Sequence, residues 1–557
     1  MKSCYDYIVI GAGSAGAIIA RRLADQLDAS VLLLEAGIDD RHWTVQMPGA
    51  VRSHYDLDTG YNWHFFTTPQ RNLDGRRVYQ PRGKGLGGSS SVNGMVYLRG
   101  HPLDYELWAQ QGASGWSYAE VLPYFKRLEH VEAGADEYRG GQGPVNIRRV
   151  RDLDPLEKAF IEAGRQLGHP STDDVNGRQQ EGFCRFDQNI DGGVRANTAN
   201  AYLRRGPRPS NLTVTTEAQV QRILFDGTRA CTVELIRHGN LKKVEVREEV
   251  ILSAGVFGSP HLLMLSGVGP TDHLRAFQIP VRHDLPGVGQ NLHDHPEVHV
   301  QHRCTQPITL NGLLRPDRKL RVGLEWILFK SGICSRAQAA AGAFLCSGPG
   351  VEHPDIQFHF FSCFFEGDYH IRHDQHGYMI DSGPMRPTSR GTVQLQSVDP
   401  RVPLAIDPNY LDTEADRQAM RDGVELAREI LAQPAFTPFD AGEAVPGPEV
   451  KTRSEVDAFI RAHLGSAYHP VGTCKMGGAR DAFAVVDSDG KVHGLDGIRV
   501  ADASIMPSVV SSNTNAASMM IGEKLADAIL GVPRLPALEV PVVSRVASTD
   551  RRPDARL

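Results

Sequence analysis

The chain opens on a strand, a glycine turn, a helix and a second strand that ends in an acidic residue. The apolar run Tyr7–Ile10 predicts a buried parallel strand. Gly11 and Gly13 allow a tight turn and a close backbone approach to phosphate, while Gly16 lets the helix lie against the strand. Glu35 ends the second strand, where its carboxylate would accept hydrogen bonds from a ribose and repel a 2′-phosphate. The pattern predicts a dinucleotide site that disfavours NADP.

Length and composition limit the classes of protein that this chain can belong to. At 557 residues the chain is too long for one simple core, and its 41% hydrophobic and 23% charged residues are ordinary for a globular protein. The net charge of −6 gives no basic footprint for nucleic acid or an anionic membrane. No apolar run approaches the roughly 18 residues of a membrane span, and no leader precedes the first strand. We expect a cytoplasmic protein without a nucleic-acid partner; a peripheral contact with the inner membrane face stays open.

Redox and metal motifs are missing from the sequence. The eight cysteines form no C-x-x-C pair, which argues against a redox dithiol and a zinc ribbon. A second strand–GxGxxG–helix unit, which a nicotinamide site beside the first one would need, is absent as well. His293, His295 and His299 suggest a metal by their spacing. They lie in a loop around a proline rather than on one helix face, so we predict no metal.

A second glycine-rich run covers residues 83–94 and is followed at once by an apolar segment. So many glycines and serines would cost a regular helix or strand conformational entropy. A flexible linker is one interpretation, but a linker would not lead directly into apolar residues. A buried backbone surface pressed against a flat ligand is the interpretation that the sequence favours.

The middle of the chain has recognisable helix and strand patterns. Residues 104–128 and 151–169 are predicted to be helical, and residues 212–246 form a series of short strands. An apolar strand at 249–253 is predicted to return to the first sheet. The segment 255–269 predicts a helix with a proline in its first turn.

The pattern changes after residue 300. Strands of period two, such as 356–361, with helices at 413–432 and 453–463, predict a mainly antiparallel second domain. Residues 511–515 are predicted to cap an apolar helix that ends at residue 530. The segment after residue 531 is rich in proline, arginine, aspartate and serine and is expected to be disordered or to follow the surface.

Five ordered segments together resemble the glucose–methanol–choline (GMC) family of flavoprotein oxidoreductases. They are the first glycine turn with Glu35, the run Gly83–Gly94, the segment Gly255–Gly269, the box Tyr468-His-Pro-Val-Gly-Thr-Cys-Lys-Met-Gly477, and Ala501-Asp-Ala-Ser continuing through Asn513 to Lys524. The resemblance runs from residue 5 to about residue 530. It is greatest to the choline dehydrogenase and bacterial acceptor-linked alcohol dehydrogenase branch.

The resemblance implies an α/β fold: a Rossmann-like FAD-binding domain of the GMC type, with a second α+β substrate domain on a mainly antiparallel sheet. Residues 1–300 would form the FAD-binding domain, with inserted substrate-side segments near 40–80 and 150–190. Residues 301–460 would form the substrate-binding domain. Residues 461–531 would return to the FAD domain with the catalytic pair, and residues 532–557 would form a C-terminal tail.

The resemblance also implies which residues hold FAD. The turn residues Gly11, Gly13 and Gly16, with Ser14, Ala15, Glu35 and Ala36, would hold the ADP half, and Val220 would meet the adenine. Asp502 and Ala503 would lie beside the ribityl–pyrophosphate. Ser89, Asn93, Gly94 and Val96 would line the flavin. Some family members attach FAD through a histidine just before the asparagine of the glycine-serine run. Val92 occupies that position here, so we predict non-covalent FAD.

The implied reaction is FAD-dependent oxidation of an alcohol to an aldehyde or ketone by hydride transfer to flavin N5. His469 matches the catalytic base, a role that suits histidine near neutral pH. Asn513 would donate a hydrogen bond to the developing alkoxide. Electrons would pass to a quinone or another non-nicotinamide carrier. An oxidase that uses O2 and makes H2O2, and a hydroxynitrile-lyase-type enzyme, remain alternatives.

Candidate substrate contacts are aromatic. Trp63, His359, Phe360, Phe361, and the pair Phe364–Phe365 would form a wall that suits a primary alcohol with an apolar or aromatic body. A choline substrate would need a carboxylate or an aromatic cage, for which Glu297 and Glu366 are the candidate carboxylates.

Overall fold

Two sheets form the framework of the protein, which is described by a computed structural model over residues 1–56, 58–366, 370–371 and 373–544. Each sheet has seven strands within this part of the chain. The first sheet contains, in spatial order, Leu212–Thr215, Val31–Leu34, Cys4–Ile10, Asn240–Leu252, Arg229–Arg237 and Ala218–Asp226, with Ile498–Val500 also beside Asn240–Leu252. The second contains Asp440–Val445, Pro296–Cys304, Gly377–Pro384, Ile356–Phe361, Ala341–Leu345 and Gly182–Arg185, with Gly465–Ser466 also beside Pro296–Cys304.

Helices and shorter strands complete the described fold. The α-helices are Gly16–Gln26, Trp43–Gln46, Ser53–Asp56, Pro102–Gln110, Tyr118–Leu128, Pro155–Gln166, Gly255–Leu265, Thr271–Ala276, Pro316–Phe329, Glu414–Leu431, Arg453–His463 and Asn515–Leu530. The short paired strands are Phe65–Phe66 with Tyr79–Gln80, Glu129–Val131 with Val145–Arg149 and Asp187–Gln188, Ile190–Asp191 with Val194–Arg195, Val268–Gly269 with His283–Asp284, Phe365–Glu366 with His370–Ile371, and Thr392–Gln394 with Ala405–Asp407.

The predicted opening unit is present, with glycine required at its turn. Strand Cys4–Ile10 lies in the first sheet and is parallel to both of its neighbours. Gly11 has φ +98°, and a Cβ there would lie 2.3 Å from the carbonyl oxygen of Ser253. A Cβ on Gly16 would lie 2.0 Å from the carbonyl oxygen of Gly11. The turn and the start of the helix therefore pack too closely for any larger residue.

Strand Asn240–Leu252 corrects the prediction of two separate strands near 244–246 and 249–253. Its first half pairs antiparallel with Arg229–Arg237, and its second half pairs parallel with Cys4–Ile10. Its first four residues are exposed, burial alternates from Val244 to Val246, and the last three residues are all buried. The sequence pattern changes where the partner changes, because only the second half is covered on both faces.

The predicted helical region 104–128 is in fact two helices, Pro102–Gln110 and Tyr118–Leu128. Gly112 and Gly115, both with positive φ, separate them. Ser117 and Glu120 then form a capping box that starts the second helix. The prediction treated this capping pair as part of one continuous helix.

Pro260 lies in the second turn of helix Gly255–Leu265, rather than in the first turn as predicted. A proline cannot donate to the carbonyl four residues earlier, which belongs to Val256. The hydroxyl of Thr473 donates to that carbonyl at 2.6 Å instead. This hydrogen bond ties the segment 468–477 to helix Gly255–Leu265.

The second sheet is antiparallel, as the period-two pattern predicted. Its neighbouring helices Glu414–Leu431 and Arg453–His463 confirm the predicted helices at 413–432 and 453–463. Strand Gly182–Arg185, from the predicted insert near 150–190, forms one edge of this sheet. The domain divisions at residues 300 and 460 stay predictions.

The described part of the C-terminal tail follows the surface. The Leu538 N–H donates to the Ala119 carbonyl, and the Val543 N–H donates to the Arg178 carbonyl. Residues 545–557 of the predicted tail lie outside the described residues. Of the helices in the described part of the chain, none has the length and apolarity that crossing a membrane requires.

Candidate active site

A cavity of about 920 Å³ is lined by residues from both sheets and from the glycine-rich segments. Its volume is in the usual range for cofactor and substrate pockets. The predicted site residues that line it are Gly11, Gly13, Ser14, Ala15, Glu35, Ala36, Ser89, Asn93, Gly94, Val96, Val220, His469, Asp502, Ala503 and Asn513. Gly16 does not line the cavity, because it packs behind the turn against Gly11 and Ser253. One continuous site thus contains residues from both ends of the chain.

Glu35 marks one end of the cavity. Its two carboxylate oxygens accept hydrogen bonds from the N–H groups of Ala12 at 2.9 Å and Gly37 at 2.8 Å. Burial raises the pKa of Glu35 despite these donors. The held carboxylate keeps further lone pairs for ribose hydroxyls, which fits a dinucleotide.

The glycine-serine run 83–94 lines another part of the cavity, next to the opening turn. A Cβ on Gly94 would meet no atom within 4 Å and would project into open space. A Cβ on Gly88 would lie 2.7 Å from the Cα of Gly13, so the two glycine segments touch backbone to backbone. A flat ligand can therefore lie directly against the main chain, as the sequence predicted. The cradle fits FAD on these grounds.

Asp502 lines another part of the cavity and fixes the backbone turn that begins helix Gly255–Leu265. Its carboxylate accepts hydrogen bonds from the Gly255 N–H at 2.9 Å and from the Ser259 hydroxyl at 2.6 Å. Burial raises the pKa of Asp502, while these hydrogen bonds act against the shift. Asp502 therefore holds the start of helix Gly255–Leu265 at the cavity wall.

Helix Asn515–Leu530 begins at the cavity without a side-chain cap. The prediction that residues 511–515 cap it is wrong, because the relevant side chains have other partners. The Ser14 hydroxyl donates to Asn515 Oδ1 at 2.7 Å, and the Asn513 side chain turns toward His469. Thr514, Asn515 and Ser518 line the cavity, so the positive end of the helix dipole faces it.

His469 is the centre of a polar cluster at the other end of the cavity. Its Nε2 lies 3.0 Å from Asn513 Nδ2, and its Nδ1 lies 3.1 Å from His295 Nδ1. Gln357 Nε2 donates to Asn513 Oδ1 at 3.2 Å, which turns the amide nitrogen of Asn513 toward His469. Two predicted residues, His469 and Asn513, are thus in direct contact.

Two loops that run side by side bring His295 to His469. Strand Gly465–Ser466 pairs with Pro296 and Glu297, so the segments on either side of the pairing continue together. The carboxylate of Asp294 accepts the backbone N–H of His469 at 2.8 Å. The backbone of His469 is therefore fixed as well as its ring.

Hydrogen-bond partners assign the tautomers of the two rings. The Met385 carbonyl, 2.9 Å from His295 Nε2, only accepts, so that nitrogen carries a proton and Nδ1 of neutral His295 accepts. Nδ1 of His469 must then carry the shared proton, which leaves its Nε2 as the basic nitrogen. The amide of Asn513 donates to this nitrogen. A proton acceptor and a hydrogen-bond donor therefore lie side by side at the cavity wall.

Burial keeps both rings neutral. It lowers the pKa of His469 well below 6.5, and the neighbouring His295, His359 and Arg82 add to the effect. Burial also lowers the pKa of His295 to about 4. Because both values lie below neutrality, His469 is available as a base at physiological pH.

The aromatic wall is only partly as predicted. Trp63, His359, Phe361 and Phe365 line the cavity. Phe360 does not, because alternation along strand Ile356–Phe361 turns it into the core, where its ring stacks on Phe160. Phe364 is buried outside the cavity lining. The predictions for Phe360 and Phe364 were therefore wrong.

Glu297 is a buried acid in the cavity lining. Burial raises the pKa of its carboxyl well above 4.5, and the nearby Asp381 and Asp294 raise it further. Among the described residues, no group donates a hydrogen bond to this carboxyl. Asp381 also lines the cavity, but its carboxylate is bonded to His299 Nδ1. The side chain of Glu366, the other candidate carboxylate, lies outside the described residues.

Sequence analysis missed His295, Asp294, Gln357 and Asp381. The His293-Asp294-His295 triplet was a visible signal, but it was considered only as a metal site. His293 instead bonds the Asn291 carbonyl through Nδ1 and accepts the Val509 N–H at Nε2. Within the described ranges, no group of three or more histidine, cysteine, aspartate or glutamate side chains is arranged so that it could hold a metal ion.

Gly94→Ala should reduce the FAD content of the purified protein at least about tenfold while the fold is kept, because the added methyl group would enter the space of the flat ligand. The measurement is bound flavin per chain, with circular dichroism as the check of folding. Gly478→Ala is the matched control, since its Cβ also meets nothing within 4 Å but lies outside the cavity lining. Full FAD content in Gly94→Ala would contradict the assignment.

Known proteins match this chain over nearly its whole length. A family model described as GMC oxidoreductase matches residues 5–297 with its N-terminal part and residues 387–522 with its C-terminal part. The mitochondrial choline dehydrogenase of Mus musculus is 49% identical over 548 residues, 97% of this chain and 92% of that protein. The oxygen-dependent choline dehydrogenase of Photobacterium profundum is 46% identical over 533 residues, 95% of this chain and 94% of that protein.

A solved structure matches the fold. A variant of formate oxidase from Aspergillus oryzae RIB40, determined to examine modification of its FAD, has a TM-score of 0.88 at 26% identity. The match covers 95% of this chain and 98% of the other. The similarity of fold therefore extends over both seven-stranded sheets.

Proposed function

Because the chain belongs to the GMC oxidoreductase family, and is an FAD-dependent enzyme that oxidises an alcohol, we propose that its substrate is choline or a similar alcohol with a quaternary ammonium group. The observation that carries the proposal is Glu297, a buried carboxyl in the cavity to which none of the described residues donates a hydrogen bond. A fixed cation would favour its ionised form and offset the cost of burial. Two relatives over nearly the full length are named choline dehydrogenases.

The FAD contacts that we propose follow the cavity lining. Glu35 would bind the adenosine ribose, the turn Gly11–Ala15 would approach the pyrophosphate, and the run Ser89–Val96 would lie against the flavin. Val220 and Ala36 would lie beside the adenine, and Asp502 and Ala503 beside the ribityl chain. Val92, at the position of the attached histidine, packs with Val45 and Tyr61, so we propose non-covalent FAD. When bound, FAD supplies the acceptor for the hydride that leaves the alcohol carbon.

The chain's own residues would handle the proton. The alcohol hydroxyl would bind between His469 Nε2 and the Asn513 amide, giving its proton to Nε2. The amide of Asn513 would then donate to the oxygen as negative charge develops there. His295 would hold His469 in the tautomer that leaves Nε2 basic, and the Asp294 carboxylate would hold its backbone.

The cationic end of the alcohol would bind against the second sheet, at strands Pro296–Cys304, Ile356–Phe361 and Gly377–Pro384. Glu297 and Asp381 would supply negative charge there, and the rings of Trp63, Phe361 and Phe365 line the same cavity. Lys84 already lies over the Trp63 ring and Arg52 over the Phe365 ring, so Phe361 and the remaining ring surfaces would meet the ligand. Quaternary ammonium groups bind to such combinations of carboxylate and aromatic rings. The same surface offers little to a polyol, whose hydroxyl groups would lack partners on the aromatic faces.

Electrons would leave to a quinone or another carrier, with the enzyme in peripheral contact with a membrane. The sequence holds one GxGxxG unit between a strand and a helix, and none is left for a nicotinamide. Transfer to O2 with release of H2O2 is the alternative, and one relative is named an oxygen-dependent choline dehydrogenase. The alternative of a hydroxynitrile-lyase-type reaction has no observation in its favour.

The test is a substrate comparison with a water-soluble dye as acceptor. Choline should be oxidised with a kcat/KM at least about 100-fold above that of 3,3-dimethylbutan-1-ol, which has the same shape without the charge. Equal values for the two alcohols would contradict the proposed cation site. A peroxide assay in air on the same samples separates an oxidase from a dehydrogenase.

A further inference from the structure

Helix Pro316–Phe329 presents an apolar face to the outside of the protein. Leu320, Leu324, Ile327 and Leu328 lie on one side of this helix and are 64%, 46%, 54% and 68% exposed. Helices on a protein surface normally turn such a row toward the core. The outward orientation is fixed from behind, because the buried Trp326 donates its indole N–H to the Gly193 carbonyl at 2.7 Å.

Positive charge surrounds the apolar face. Between residues 315 and 330 the chain has five basic residues, Arg315, Arg318, Lys319, Arg321 and Lys330, against the two acids Asp317 and Glu325, for a local net charge of +3. The basic residues are all exposed. The whole chain has a net charge of −6, so the net charge of the chain gives no indication of this local basic cluster.

We propose that helix Pro316–Phe329 docks the enzyme on the surface of an anionic lipid membrane. A row of exposed leucine and isoleucine flanked by lysine and arginine is the composition of helices that lie in the plane of a membrane surface. Its 14 residues are too few to cross a bilayer. The proposal rests on the proposed function in one respect, since it concerns access of a lipid-soluble electron acceptor.

Charge argues against a second copy of this chain as the occupant. Two copies meeting at this helix would bring two identical basic clusters together, and like charges at short range are unfavourable. Acidic phospholipid headgroups would complement the same cluster. The apolar residues would meanwhile enter the boundary between headgroups and acyl chains.

The helix lies next to the cavity in the fold. The segment after it contacts the loop at residues 48–50, where a Cβ on Gly49 would lie 2.9 Å from the Cα of Cys334. The residues that follow these two segments, Val51 and Arg52 on one and Gln338 and Ala339 on the other, line the cavity. Docking through the helix would therefore bring this side of the cavity close to the lipid.

The experiment is flotation of the holoenzyme with vesicles. Binding should be found with vesicles of phosphatidylcholine mixed with phosphatidylglycerol, and should weaken in pure phosphatidylcholine and at high salt. Leu324→Glu/Leu328→Glu should weaken binding at least about tenfold, because two apolar side chains are replaced by acids. Arg318→Gln/Lys319→Gln/Arg321→Gln should remove the preference for the anionic lipid. Leu241→Glu, at a leucine that is 61% exposed on another element, is the matched control and should bind as the unchanged enzyme does.

Two results would overturn the proposal. One is a holoenzyme that does not float, or that floats equally well with and without the leucine substitutions. The other is a dimer in light scattering that Leu324→Glu/Leu328→Glu converts to monomer, because a second copy would then cover this face. Choline oxidation with a soluble dye should be unchanged in every one of these variants. Vesicle binding without choline oxidation would refute the proposed substrate and leave the docking surface supported.

Discussion

We expect His469→Gln to lower the rate constant for flavin reduction by choline by about 1,000-fold and to leave FAD bound. Glutamine keeps a polar side chain but cannot accept the proton from the alcohol, and a positioned general base contributes roughly 100- to 10,000-fold. FAD should remain because His469 lies at the Asn513 end of the cavity, away from Glu35 and the opening turn. The measurement is anaerobic stopped-flow reduction together with the flavin content.

The control for His469 is a second histidine, His261, which is half-buried. His261 also lines the cavity, and burial also lowers its pKa, to about 4, but it makes no hydrogen bond to Asn513 or His295. His261→Gln should therefore reduce flavin at close to the rate of the unchanged enzyme. Rapid reduction in His469→Gln, or an equal loss in both variants, would remove His469 from the role of base.

The pH dependence of the same rate has a defined direction. The pKa of His469 lies well below 6.5 because of its burial and the neighbouring His295. A base is active when it is unprotonated, so the rate constant for reduction should stay constant as pH falls to 6.5 and decrease only below that. This decrease at low pH should be absent in His469→Gln.

Glu297→Gln is expected to raise KM for choline by about 100-fold and to change KM for 3,3-dimethylbutan-1-ol much less. Removing one member of a buried charge pair costs roughly 2–5 kcal/mol, while the uncharged alcohol never forms that pair. Glutamine matches the shape of glutamate, so loss of packing would affect both alcohols alike. Steady-state kinetics with a soluble dye measure both constants, and a parallel loss for the two alcohols would contradict the cation site.

Glu297 also predicts how choline binding changes with pH. Burial, together with Asp381 and Asp294, raises its pKa above the ordinary value of 4.5. The ionised form binds the cation, so KM for choline should rise as pH falls through that raised pKa. KM for the neutral 3,3-dimethylbutan-1-ol should not rise in this way as pH falls. In Glu297→Gln, KM should show no such rise with either alcohol.

Local rules were sufficient to predict the opening unit. The positive φ of Gly11 and the contact of Gly16 with the Gly11 carbonyl arise within one strand–turn–helix unit, so the glycine spacing indicates them. The helices Glu414–Leu431 and Arg453–His463 were predicted within a residue or two for the same reason. The close contact of Gly11 with Ser253 comes from a neighbouring strand and was not visible in that spacing. Strand Asn240–Leu252 was divided wrongly because its partner changes along its length.

The site needed information that no local pattern contains. His295 and His469 are 174 residues apart in sequence, and only the pairing of Gly465–Ser466 with Pro296–Glu297 brings them together. Alternation along strand Ile356–Phe361 was visible in the sequence, but which of its faces meets the cavity was not, and Phe360 was predicted on the wrong face. Helix Pro316–Phe329 was likewise invisible as a surface feature, since the whole-chain charge has the opposite sign.

The most direct test of the account is anaerobic titration of the holoenzyme with choline, followed by flavin absorbance. The oxidised flavin spectrum should be lost completely at one equivalent of choline per flavin, because oxidation of the alcohol to the aldehyde releases two electrons and the flavin accepts two. 3,3-Dimethylbutan-1-ol should need far higher concentrations. An oxidised spectrum that persists at saturating choline would contradict it.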